Sequence, residues 1–220
     1  MAVVAALDVY ASAELHSAAM NMAIDQALLE VARVPSLRFY GWRQPSISFG
    51  YFGRYADVAD EQPHRDIVRR WTGGGIVFHG DDLTYALVLP ADVASGFRSS
   101  RVVYAQVHGA INRALGSGIS AALATSAAPK ISDACFANPV EYDVVLNGRK
   151  IAGAAQRRTR VGLLHQGSIQ CDTLCRSFQD EFAHALCPSF DGKELPSDLL
   201  ARAAQIAHER YATRDWLHRR

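Results

Sequence analysis

The stretch RRWTGGGIVFHGDDLTYALVLP, residues 69–90, decides how this chain reads. Arg69 and Arg70 come first, then Trp71, Thr72 and the unbroken run Gly73, Gly74, Gly75. Consecutive glycines are costly to order, because glycine loses the most backbone freedom on folding. A chain keeps them where backbone turns sharply or approaches something closely. The two arginines supply permanent charge and forked donors that suit phosphate or carboxylate. Residues 76–78 and 83–89 are rich in β-branched and aromatic side chains and read as strands. The expectation is strand, glycine turn, strand, with a ligand lying on the glycines. The alternative is a wide glycine bulge in a hairpin flanked by two surface arginines.

Working upstream, residues 66–70 read as the strand that enters this stretch, and 55–61 as a short helix. Residues 37–42 and 46–51 read as strands, the second with Ile47, Phe49 and Tyr51 on one face. Residues 12–34 give the clearest helix, with Leu15, Ala19, Met22, Ala23, Ala27, Leu28 and Val31 at helical spacing. Ser12 or Ser17 caps it and Pro35 stops it. Asn21 and Asp25 share one face. They either anchor the helix to the ligand loop or are simply solvated. Residues 2–6 read as an opening strand.

Downstream, residues 99–115 read as a second helix ended by Gly116 and Gly118. Residues 120–128 are an edge strand or a mobile loop. Residues 142–146 and 149–157 form a hairpin about Asn147-Gly148, the strongest short turn signal. Residues 163–169 are a further strand. Helices follow at 178–186 and 197–212, with 213–220 extending the last one. Strands and helices interleave without βαβ alternation. That predicts an α+β fold of mixed, largely antiparallel sheets flanked by helices, in one domain over residues 1–220.

A length of 220 residues suits one domain with a sizeable core. A net charge of +1 gives no bulk attraction for nucleic acid or an anionic membrane surface. No window approaches the roughly 18 apolar residues of a spanning helix, and the N-terminus lacks a basic leader pattern. The expected location is therefore cytoplasmic, with Cys135, Cys171, Cys175 and Cys187 as thiols. Cys171 and Cys175 have no second pair to complete a zinc site, so no metal is expected.

Cys135 stands in the polar segment Ser132-Asp133-Ala134-Cys135-Phe136, where an exposed thiol of lowered pKa would be a nucleophile. Lys150 could favour its thiolate if the loop folds back over the returning strand. The other reading is a buried structural cysteine and a surface lysine. His79 and His165 are each either a general base or a satisfied core histidine.

Three stretches together resemble the lipoate–protein ligase and octanoyltransferase superfamily, which has the biotin/lipoate protein ligase catalytic fold. They are Asn21 to Asp25, Arg69 to Gly75 with Val77 and His79, and Gly148 to Gln156. Cys135-Phe136 before the lysine strand, with Leu83-Thr84-Tyr85 after the histidine, resembles the cysteine-dependent octanoyltransferase branch. The resemblance implies that Cys135 takes an octanoyl group from acyl carrier protein as a thioester. It implies that Lys150 lowers the pKa of Cys135 and bonds the acyl carbonyl. The acyl group then passes to a lysine of a lipoyl domain or a glycine-cleavage H protein. Arg70, Gly73, Gly74, Gly75, Val77, His79, Gly153, Ala154, Gln156 and His165 would bind substrate. The N–H groups of Gly73 to Gly75 would hold the oxyanion, worth about 3–4 kcal/mol per donor. Val77, Val145 and Ile151 would line an acyl tunnel. No cofactor is required in this reading, and the protein is expected as a monomer or weak dimer. The alternatives are an ATP- and Mg-dependent lipoate ligase and a non-catalytic binder of lipoyl domains. Ile76, Gly80, Ala154 and the order His165-Gln166 depart from the family pattern.

Overall fold

The structure is a computed structural model that describes residues 2–116, 119–127 and 139–219. Two sheets organise it. The larger has eight strands, in the order β11, β1, β2, β6, β10, β9, β8, β7. These span Asp191–Lys193, Asp8–Ala11, Ser36–Tyr40, Leu83–Pro90, Gly162–Ile169, Arg149–Arg158, Val144–Leu146 and Ala121–Leu123. Antiparallel pairing runs from β2 through β6, β10, β9 and β8 to β7, while β1 pairs in parallel with β2 and β11. The smaller sheet places β3 (Ser46–Phe49) between β4 (Asp66–Arg69) and β5 (Ile76–His79). The fold is α+β with mixed sheets, as the sequence predicts.

Strands β6 and β10 are buried along almost their whole length, because helices cover both faces of the large sheet. Leu87, Leu89 and Leu163 pack on one side with α3 (Ser100–Ala114) and α4 (Phe178–Leu186). Ala86, Val88 and Leu164 pack on the other with α1 (Ala18–Val31) and α5 (Ser197–Ile206). Double coverage explains the unbroken apolar run of residues 85–89 in place of alternation. Among the described residues no helix is long and apolar enough to cross a membrane.

Several expectations are corrected. Residues 76–78 and 83–89 do not make a hairpin: β5 pairs with β3, and β6 joins the other sheet between β2 and β10. Residues 2–6 are not a strand, and the amides of Val3 and Val4 bond Leu186 O instead. Helix α1 starts at Ala18 because Ser17, not Ser12, accepts from the Met20 amide. The short helix at 55–61 is a pair of 3-10 turns, Tyr55–Asp57 and Ala59–Glu61. The weak stretch after α3 forms the edge strand β7. Asn147 and Gly148 take φ of 51° and 77°, the paired positive values of a tight hairpin turn. The short helix α2 (Ala91–Ser95) and strand β11 gave no pattern in the sequence.

Candidate active site

Strand β3 sorts its side chains by alternation. Ile47 and Phe49 fill a small core with Val58, so Ser48 faces the other way. There it meets Arg70, whose Nη1 donates to Ser48 O at 2.7 Å and to Ser48 Oγ at 2.8 Å. Arg70 Nη2 donates to Gly73 O at 3.0 Å and Gly75 O at 2.9 Å. The glycine run therefore turns carbonyls toward its own arginine. It also lies directly on Gly50, where an added Cβ would stand 2.0 Å from Gly74 O. Gly74 itself has φ of 87°. Close approach accounts for Gly50, and the positive φ accounts for Gly74. Arg69 is a structural bolt: its guanidinium is bonded to the carbonyls of Tyr51, Gly53, Trp216 and Leu217.

His79, at the end of β5, has both ring nitrogens engaged. Nε2 lies 2.6 Å from Ser48 Oγ and Nδ1 lies 2.8 Å from Asp82 Oδ2. Burial lowers the His79 pKa, against the opposing pull of Asp82. The ring is thus neutral, with Nδ1–H donating to Asp82 and Nε2 accepting from Ser48. Burial alone would raise the Asp82 pKa, but hydrogen bonds from His79, Ser168 and Thr84 outweigh it and hold the carboxyl below its usual range. Trp42 stacks on the His79 ring at 4.0 Å and donates to Thr84 Oγ1 at 2.8 Å. Since Thr84 and Ser168 belong to β6 and β10, this network ties the two sheets together.

Asn21 and Asp25 realise the anchoring alternative. Both are fully buried. Asp25 takes Arg38 Nη1 at 2.7 Å, the Tyr40 hydroxyl at 3.0 Å and Gln166 Nε2 at 2.7 Å. Gln166 Oε1 in turn accepts from Thr72 Oγ1 at 2.8 Å, so α1 reaches the glycine loop through β10. Burial raises the Asp25 pKa, with Arg38 opposing it.

Lys150 enters from β9. Opposite β8 the pairing steps from Val145–Lys150 to Val144–Ala152, which leaves Ile151 as an extra residue. This bulge puts Lys150 and Gly153 on the same side of the strand. The lysine stem folds back over Gly153, where an added Cβ would stand 2.2 Å from Cε and 2.5 Å from Nζ. Lys150 Nζ meets Asp143 Oδ2 at 2.8 Å, with the two side chains 6% and 0% exposed.

These parts enclose a cleft of about 460 Å³, counted to its open mouth. Its wall is Met22, Tyr40, Trp42, Ser48, Arg70, Val77, His79, Thr84, Lys150, Gly153, Ala154, Ala155, Gln166, Gly167 and Ser168. Of the residues expected from sequence, Arg70, Val77, His79, Lys150, Gly153 and Ala154 meet here. Gly73, Gly74 and Gly75 do not line it, nor do Val145 and Ile151. Ile151 belongs to the core on the far side of the sheet. Gln156 and His165 also face away from the cleft. Gln156 Nε2 lies 2.9 Å from His165 Nδ1, and His165 Nε2 lies 3.1 Å from the Tyr85 hydroxyl. His165 is a satisfied core histidine, its pKa pushed well below the ordinary value by burial. Cys135 lies outside the described residues. Sequence reading missed Ser48, Asp82, Trp42, Asp143 and Gln166. Only Asp82 carried a signal, standing three residues after His79.

Residues 17–198 match the lipoyl protein ligase A/B catalytic domain. Octanoyltransferase LipM of Oceanobacillus iheyensis is 40% identical over 163 residues, covering 69% of this chain and 59% of that protein. Octanoyltransferase LipM of Moorella thermoacetica is 36% identical over 182 residues, covering 77% and 66%. The chain thus spans less than two thirds of the length of both. Octanoyltransferase LipM of Bacillus anthracis is 33% identical over 211 residues, covering 88% and 74%. A lipoate-protein ligase A structure bound with ATP superposes with a TM-score of 0.72 at 20% identity, covering 97% of this chain and 98% of that one. The bipartite lipoate protein ligase of Thermoplasma acidophilum gives 0.65 at 22%, covering 97% and 96%. These structural likenesses establish the fold.

Proposed function

Because this chain belongs to the lipoyl protein ligase A/B catalytic domain family, we propose that it is an octanoyltransferase working through a Cys135 thioester. The observation that carries the reading is the buried Lys150 ammonium on the wall of a narrow cleft, held by Asp143. Similarity to proteins named octanoyltransferase supports the acyl group, and Cys135-Phe136 ahead of the lysine strand supports the nucleophile.

In this reading the Cys135 thiolate attacks the carbonyl of octanoyl-acyl carrier protein. A carbon–sulfur bond forms to Cys135, and the carrier's thiolate leaves and takes up a proton. Lys150 stabilises the attacking thiolate and the oxyanion by its charge. The neutral amine of an acceptor lysine, on a lipoyl domain or glycine-cleavage H protein, then attacks the acyl-enzyme. An amide forms, the amine proton is lost and the Cys135 sulfur is released. The activated acyl group is conserved through both exchanges, so the scheme consumes no ATP. Met22, Val77 and Ala155 give the acyl chain an apolar wall. Arg70 and His79 hold the side of the cleft built on the small sheet. The reaction is assigned to the cytoplasm, with residues 1–220 acting as one catalytic domain.

Intact-protein mass spectrometry after incubation with octanoyl-acyl carrier protein, without ATP, tests this. The expected result is an octanoyl adduct that hydroxylamine removes and Cys135→Ala abolishes. Absence of the adduct, with lipoyl-domain modification only on adding free acid, ATP and Mg, would replace this reading by a ligase.

A further inference from the structure

The residue before Asp143 is bent in an unusual way. Tyr142 has φ of 70°, a left-handed conformation that a bulky aromatic side chain rarely adopts. Surrounding bonds hold it there: the Tyr142 amide donates to Ala124 O at 2.8 Å, and His108 Nδ1 lies 2.7 Å from Tyr142 O. Backbone strain of this kind persists only where neighbouring structure over-determines it, and it gathers at working sites. Here its consequence is the direction of the next side chain. Asp143 is fully buried, yet its carboxylate is met from three elements. The Val140 amide donates to Oδ2 at 2.7 Å, the Tyr104 hydroxyl on α3 donates to Oδ1, and Lys150 Nζ lies 2.8 Å from Oδ2. Tyr104 is itself fixed by the Ala154 amide, which donates to its hydroxyl at 3.1 Å.

We propose that Asp143 is a positioning residue that keeps the Lys150 side chain charged and aimed across Gly153 into the cleft. This rests on the octanoyltransferase reading for its catalytic consequence, though not for its physical content. Taking the compensating charge from a buried ammonium shifts its equilibrium toward the neutral amine. A neutral Lys150 would stabilise neither a thiolate nor an oxyanion. Among the described residues, the other titratable or charged groups around the pair are Tyr104 and His108 from α3, Tyr85 from β6, His165 from β10, and Arg70 and His79 across the cleft. None of these is an anion at neutral pH, and among the described residues the carboxylate bonded to Lys150 is that of Asp143. The strained Tyr142, the Tyr104 hydroxyl and the missing Cβ at Gly153 are then parts of one device that sets the lysine.

The chain has only three lysines, Lys130, Lys150 and Lys193, so titration of [13Cε]-lysine by NMR resolves Lys150 once Lys150→Arg has identified its signal. In Asp143→Asn the Lys150 midpoint is expected to fall by about one pH unit or more. Asp143→Glu should restore it. The alkaline limb of the kcat profile for octanoyl transfer should move down by the same interval, with KM little changed. An unmoved Lys150 midpoint in Asp143→Asn overturns the proposal. A moved midpoint with no transfer activity in the wild-type protein upholds the device and removes the octanoyltransferase reading instead. Should Asp143→Asn fail to fold, Lys150→Met reports the same coupling from the other side. The Asp143 carboxyl, followed by 13C NMR, should then titrate at higher pH than in wild type, and an unshifted carboxyl refutes the coupling.

Discussion

Gly153→Ala separates the position of Lys150 from the stability of the fold. The added methyl would lie 2.2 Å from Lys150 Cε and 2.5 Å from Nζ. Ordinary carbon contacts start near 3.5 Å, so the end of the lysine must move by more than about 1 Å. The obstructing atoms are the far end of a flexible side chain, and β9 is extended at this point, so the backbone need not shift. Alanine in place of glycine in a strand recovers roughly 0.5–1 kcal/mol of backbone entropy. Against that stands a weakened bond between Lys150 and Asp143, 2.8 Å long in the native protein. The net destabilisation is expected to be about 1–2 kcal/mol, a Tm fall of a few degrees at this chain length. Catalysis should suffer far more, because a misplacement of about 1 Å at a reacting group can cost about a hundredfold. The assay is octanoyl transfer from acyl carrier protein to a lipoyl domain, run beside calorimetric unfolding. A variant with wild-type kcat would refute the placement of Lys150 over Gly153 as a requirement of the reaction. One that loses activity only by unfolding would refute the argument that the clash is local.

Gly50→Ala should behave in the opposite way. Its Cβ would meet backbone, 2.0 Å from Gly74 O and 2.7 Å from Gly73 C, so the glycine loop must be displaced. A destabilisation of about 3 kcal/mol or more is expected, read as a lower urea midpoint at unchanged m-value. Arg38→Met leaves the fully buried Asp25 without its cation, which lies 2.7 Å away. That should cost about 3–5 kcal/mol, and adding Asp25→Leu should recover part of it; additive losses would show the pair to be uncoupled. His108 is neutral in the folded protein, its pKa lowered to about 4 by burial first, with Lys150 adding to the effect. The unfolded chain binds that proton near pH 6.5, so stability should be lost as pH falls from about 6.5 toward 4. The loss is on the order of 3 kcal/mol. His108→Gln should flatten that part of a stability-against-pH curve, and an unchanged curve would refute the assignment.

Much of the fold is local, and local patterns in the sequence set it. Ser17 and the apolar spacing of residues 18–31 make α1, Ser99 and its following turn start α3, and Asn147-Gly148 closes β8 onto β9. The sequence likewise marked Arg70, Val77, His79, Lys150, Gly153 and Ala154, all of which reach one cleft. All but Arg70, which follows β4 directly, sit on strands whose period of two can be read without knowing the neighbours. Partnership between distant segments could not be read that way. Strands β5 and β6 are three residues apart in sequence, yet they belong to different sheets, because each is claimed by a partner elsewhere in the chain. Which face of the large sheet looks into the cleft was equally invisible. Gln156 and His165 turn to the helical core, while a single extra residue at Ile151 brings Lys150 round to the cleft. Asp143, Tyr104 and Ser48 had no motif to announce them. Their place follows from strand register, a strained tyrosine and the packing of α3, which are properties of the assembled chain. Periodicity declares which elements form, whereas the meeting of charges across elements depends on non-local pairing and is settled only on folding.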